Sequence, residues 1–385
     1  MKIKILVCCI VLLLTVQSVL FGQYAGESSS DHRRTFTNPN PHQPVSIDAS
    51  KLEQTSEVRN IILMIGDGMG LTHVSAGMTA NRGRLNLGYF KVIGLQKTQA
   101  SNKYVTDSAA SGTAIATGVK TRVKRIGLDP DDTAKQSILE IAESNGLATG
   151  LIATSSVTHA TPASFAAHQR HREMQGAIAW DLVKSGVDVL IGGGKLFFAK
   201  RWDGFNLIDS LKQRHYTIHE SLESVKANAS MPLAALLADE GLPAVQGRGD
   251  MLPRATRKAL QILDQSDTGF FLMVEGSQID WASHDNNAER VVLETLDFDQ
   301  ALGEVLQFAA KDGNTLVIVT ADHETGGLAV EKGNVDKGMV RLDFTSDDHT
   351  GTMVPVFAVG PKAELFQGIY ENTEIFHKMK EAFGF

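Results

Sequence analysis

Asn60-Ile61-Ile62-Leu63-Met64-Ile65-Gly66-Asp67-Gly68-Met69-Gly70 is an unbroken apolar run that ends in glycines around a single carboxylate. Residues 60–65 have no polar alternation. That pattern suits a strand covered on both faces, as in a parallel sheet. Open parallel sheets build their sites outside the carboxyl ends of the strands, where Asp67 would stand. Similar runs occur at 149–153, 188–191, 270–274 and 316–320, with a sixth at 356–359. Helical spacing separates them. Ile138, Ile141 and Ala142 lie in 134–145, which stops at Gly146. Val291, Val292, Leu296, Leu302, Val305, Leu306 and Ala309 mark 288–310. The expected fold is α/β: a central, mostly parallel sheet with helices on both faces and a metal site at the strands' carboxyl ends. Residues 195–255 are weakly patterned and read as excursions that shape the entrance.

The strand ends share one chemistry. The run at 270–274 is followed by Glu275, and the run at 316–320 by Ala321, Asp322 and His323. A lone carboxylate after a strand is usually a hydrogen-bonded turn residue. Three at one sheet edge, one with an adjacent histidine, point to cations. Asp280 and His284 are four apart and share a face if helical. His349 precedes another apolar run. Asp and His donors suit zinc, and oxygen donors suit magnesium. Ser108, in Thr106-Asp107-Ser108-Ala109-Ala110-Ser111, opens a run of small residues. A serine at a helix N-terminus is commonly a cap, but such a terminus also favours anions. Gly192-Gly193-Gly194-Lys195 fails the phosphate-loop pattern, because Val189 stands where its first glycine belongs and Leu196 follows the lysine. It reads as a turn.

These motifs, in this order from about residue 58 to about residue 361, resemble those of the alkaline phosphatases. The resemblance implies hydrolysis of phosphate monoesters, with Ser108 as nucleophile and Arg172 as the phosphate-binding cation. Arg170 is the rival arginine, off the family spacing. The resemblance also implies two zinc ions and one magnesium ion. Asp280, His284 and His349 would hold one zinc, and Asp67, Asp322 and His323 the second. Asp67, Thr161 and Glu275 would hold the magnesium. Asp107 would orient Arg172, while His159 and Trp281 would stand near the third ion and the phosphate. Only 25 residues separate His323 from His349, too few for the lid domain some relatives insert there. The rivals are a phosphodiesterase, a sulfatase or a cofactor-independent phosphoglycerate mutase on the same metal core, or a binding protein without activity. The Asp-Ser-Ala-Ala-Ser context favours a monoesterase.

The formal net charge of -7, without basic blocks, argues against nucleic-acid partners. An anionic substrate must then be held by local cations. Lys2 and Lys4 before an apolar stretch give residues 1–22 the layout of a signal peptide. Both cysteines, Cys8 and Cys9, fall inside it. Residues 23–57 read as a flexible leader and 58–385 as a single catalytic domain. The expected location is periplasmic or secreted, with no membrane span in the mature chain. A homodimer is the assembly common among relatives.

Overall fold

The computed structural model describes residues 34–53, 57–201 and 203–385. The segment read as a signal peptide lies outside them. In chain order the strands are β1 (Thr35–Thr37), β2 (Asn60–Gly66), β3 (Val92–Lys97), β4 (Ala148–Ser156), β5 (Val189–Gly193), β6 (Thr217–His219) and β7 (Leu233–Leu236). There follow β8 (Phe270–Gly276), β9 (Thr315–Thr320), β10 (Glu324–Thr325), β11 (Leu328–Asn334), β12 (Met339–Phe344), β13 (His349–Thr350), β14 (Val354–Val359) and β15 (Gly368–Glu371). Ten of them form one sheet in the order β15-β3-β14-β9-β2-β8-β4-β5-β7-β6.

The opening stretch is central in this sheet. β2 pairs in parallel with β8 on one side and β9 on the other, and all of it is buried. Its side chains alternate between two cores. Ile62 and Met64 join the layer of the helices Met251–Leu263 and Ala288–Asp312. Ile61, Leu63 and Ile65 join the layer of the helices Ser108–Thr117, Ile138–Ser144, Gln175–Ser185 and Thr373–Phe383. The parallel register puts Ile65 beside Glu275 and Thr320, so β2, β8 and β9 end together.

The α/β architecture expected from the sequence is present, with four differences. The run at 356–359 is not parallel: β14 lies antiparallel to both β9 and β3. Buried apolar runs do not encode direction, so the sequence cannot distinguish the two. The helix expected at 134–145 spans only Ile138–Ser144. Ser137 is its N-cap and forms a capping box with Glu140, so the preceding residues stay extended. The segment 195–255 adds β6 and β7 to the sheet edge. The supposed leader is packed over residues 34–53. β1 pairs with β12, His42 meets Asp299 at 2.8 Å, and Leu52 is buried. No helix among the described residues is long and apolar enough to cross a membrane.

Candidate metal and phosphoryl-transfer site

The turn after β2 places Asp67 at the sheet edge. Gly68, at φ +71, makes room there, since a Cβ would lie 2.6 Å from Thr325 Oγ1. β8 carries Glu275 one residue before its end, and the helix Gln278–His284 carries Asp280 and His284. β9 delivers Asp322 and His323, and β13 begins at His349.

Two ligand-like groups result. Asp67 Oδ1 and Asp322 Oδ2 each lie 3.3 Å from His323 Nε2. In the second, Asp280 Oδ1 lies 3.3 Å from His284 Nε2 and 3.6 Å from His349 Nε2, and the two histidine nitrogens are 3.2 Å apart. The groups adjoin, because the His323 and His349 rings stack with centroids 3.6 Å apart. A third group brings Asp67, His159 and Glu275 together. Thr161 is buried on the short helix Ala160–Ala163 that His159 caps.

Hydrogen bonds orient these groups. The Nδ1 of His284 contacts the Asp347 carbonyl at 2.6 Å, and that of His349 contacts the Thr106 carbonyl at 2.9 Å. A carbonyl only accepts, so both Nδ1 atoms donate and Nε2 faces the cluster. Asp322 Oδ1 takes the amides of Gly68 and His323, leaving Oδ2 without a hydrogen-bond partner. Both Asp67 oxygens, Glu275 Oε1 and Thr161 Oγ1 are likewise buried without one. So many buried orphans in one place are costly unless a cation satisfies them. The donor set therefore fits metal ions.

Electrostatics agree. Burial, reinforced by Asp322, raises Asp67 well above the usual carboxylate range. Burial also pushes Glu275 to about 7 and Asp322 to about 6. Burial would raise Asp280 too, but the His284 hydrogen bond and neighbouring histidine charges hold it below its ordinary value. The same bond lifts His284 to about 9.

Ser108 is buried at the first turn of the helix Ser108–Thr117, capped by Asp107, which accepts from the Ala110 amide at 3.0 Å. Ser108 Oγ lies 3.3 Å from His323 Nε2 and 3.5 Å from Arg172 Nη1. Arg172 Nη1 is 3.6 Å from Asp107 Oδ2, and its Nη2 meets His159 Nε2 at 3.1 Å. Burial, then the Arg172 charge, lower His159 to about 3, so its ring is neutral beside the guanidinium. Trp281 packs edge-on against His159, centroids 5.8 Å apart. Arg170 is remote from this group: it is exposed and pairs with Asp132.

Sequence reasoning overlooked Thr325. Its hydroxyl donates to Asp280 Oδ1 at 2.5 Å and lies 3.1 Å from His323 Nδ1. Its position two residues beyond His323, before a glycine pair, was the available signal.

The profile of the family described as Alkaline phosphatase matches residues 58–343 and 336–385. Alkaline phosphatase 4 of Bacillus subtilis is 34% identical, over 85% of this chain and 89% of its own. The Escherichia coli alkaline phosphatase is 33% identical, over 85% and 86%. Among solved structures, the alkaline phosphatase of the Antarctic bacterium TAB5 superposes with a TM-score of 0.81 at 43% identity, covering 86% of this chain and 99% of that one.

Proposed function

Since the chain belongs to the alkaline phosphatase family, we propose that it hydrolyses phosphate monoesters through a phosphoserine on Ser108, at a site for two zinc ions and one magnesium ion. The observation that carries this reading is Ser108 Oγ, held within hydrogen-bonding reach of both His323 and Arg172 at the meeting point of the carboxylates. Asp280, His284 and His349 would hold one zinc, Asp67, Asp322 and His323 the other, and Asp67, Glu275 and Thr161 the magnesium. Bound there, the ions supply Lewis acidity and the positive charge that balances phosphoryl oxygens.

The chain's own groups do the rest. The helix N-terminus behind Ser108 favours an anion. Arg172 offers two donors in a fixed fork to phosphate oxygens, and Asp107 keeps the fork turned toward Ser108. Ser108 Oγ attacks phosphorus in line and the P–O bond to the leaving alcohol breaks. His323 stands on the nucleophile's side, so the alcohol leaves on the side of Asp280, His284 and His349. Water then attacks phosphorus from that vacated side, and the Ser108 Oγ–P bond breaks to release inorganic phosphate.

Ser108→Ala should lose p-nitrophenyl phosphate hydrolysis by on the order of a thousandfold or more, with metal content unchanged. Equal turnover in both proteins would remove Ser108 as nucleophile. Turnover confined to a diester or a sulfate ester would move the protein to one of the rival classes.

The third ion depends on His159 in this reading. His159 brings nitrogen to a site otherwise made of oxygen donors, and magnesium prefers oxygen. A form of the Antarctic enzyme with a histidine changed to aspartate is described with Mg bound in its M3 site, which supports the link. His159→Asp should raise the magnesium retained after gel filtration, measured by elemental analysis. Unchanged retention would detach His159 from the third ion. The N-terminal stretch supports export to the periplasm or medium, and a homodimer is the assembly proposed.

A further inference from the structure

The glycine triplet at 192–194 does not match the phosphate-loop pattern, yet it is tightly engaged. The Gly194 amide donates to the carbonyls of Ala238 and Glu240, at 3.0 and 2.8 Å. Lys195 and Leu196 donate to Ala238 and Asp239. At Gly193 a Cβ would lie 1.8 Å from the Glu240 carbonyl oxygen. The loop 237–242 is also fastened at both ends. The Leu237 amide donates to the Gly192 carbonyl at 2.7 Å, and the Leu242 amide donates to the Thr154 carbonyl at 3.2 Å. So clamped, the loop presents Gly241 to the indole of Trp281. A Cβ at Gly241 would stand 2.8 Å from Trp281 Cη2 and 3.2 Å from Cζ3. Gly241 has no positive φ, so close approach is what its lack of a side chain serves here. The same indole meets His159, and His159 Nε2 meets Arg172 Nη2.

We propose that Gly241 is a positioning residue for Arg172. It sets the depth of the Trp281 indole, the indole sets the His159 ring, and the ring holds one arm of the guanidinium over Ser108. The loop's rigidity comes from the glycine triplet. This rests on the reading of Arg172 as the phosphate-binding cation. The relevant ligand is the phosphate group of any monoester, or free inorganic phosphate.

The test is inorganic phosphate binding to the metal-loaded full chain by isothermal titration, in two backgrounds. Gly241→Ala should weaken phosphate by about tenfold, since even an ångström-scale misplacement of a positioning contact is costly. Trp281→Phe lacks Cζ3 and Cη2, so adding Gly241→Ala to it should change affinity less than twofold. Unaltered affinity in Gly241→Ala overturns the proposal, and so does an equal loss in both backgrounds. If Gly241→Ala alone does not fold, Trp281→Phe decides: weakened phosphate supports the path and unaltered phosphate ends it. Arg172→Ala separates the two levels. Unaltered phosphate binding there overturns the arginine's role and this inference with it. Weakened binding there, with Gly241→Ala unaltered, overturns the path alone.

Discussion

At the scale of single residues, the polar groups divide by whether the chain itself satisfies them. Asp107 is fully engaged, accepting from Ala110 and Lys124 amides while facing Arg172. Asp67 accepts no hydrogen bond from the chain. Away from the site, Glu143 is a carboxylate in a poor position. Burial, with Asp188 and Glu140 nearby, raises it to about 7 from 4.5. A raised carboxyl contributes stability that is full below its unfolded pKa and is lost as pH rises through its folded pKa. For Glu143 that window runs from about 4.5 to about 7. Glu143→Gln should therefore gain on the parent protein as pH climbs from 4.5 to 8, in urea-unfolding midpoints. Parallel midpoint curves for the two proteins would show that Glu143 does not titrate in this way.

At the scale of elements, the segment leading into the helix Met251–Leu263 is tied to the helix Ala288–Asp312 by a buried ion triad. Arg248 Nη2 reaches Glu294 at 2.5 Å and Asp297 at 2.6 Å, with all three side chains at most 2% exposed. Removing the cation strands two buried carboxylates. Arg248→Met should cost about 3–5 kcal/mol of unfolding free energy, read from urea titration; a loss under 1 kcal/mol would mean that the site relaxes or hydrates. The elements also show what the sequence could say. β2, β8 and β9 were legible because uninterrupted large apolar residues admit few other environments. β3 was not, because Val92-Ile93-Gly94-Leu95-Gln96-Lys97 mixes exposed and buried positions. β7 was not, because Leu233-Ala234-Ala235-Leu236 is short and sits in a weakly patterned stretch. The ligand-like carboxylates were readable from their places after strands. Thr325, the Thr106 carbonyl and Gly241 were not, since their roles arise from contacts between segments distant in the chain. The helix Ile138–Ser144 is shorter than its apolar surroundings suggest, because Ser137 caps it.

At the scale of the whole molecule, the two cores are joined along one edge by a cluster that repels itself. Asp67, Asp322 and Glu275 are all fully buried and within mutual influence. Cations bound only by the folded chain stabilise it by mass action. Exhaustive chelation should lower the thermal unfolding temperature by more than about 5 °C, and zinc with magnesium should restore it. An unchanged transition would mean that the ions do not bind tightly in the folded state.

The strand β1 has a consequence for how the molecule comes into being. It covers the outer edge of β12, and Arg34 pairs with Asp343, 309 residues further along the chain. Residues 34–37 thus wait for a partner made about 300 residues later. Until they meet it, β12 shows an open row of amides and carbonyls, a template for any passing strand. Docking of residues 35–37 on residues 339–341 closes that row, so the risk of misassembly at this edge ends when β1 is in place.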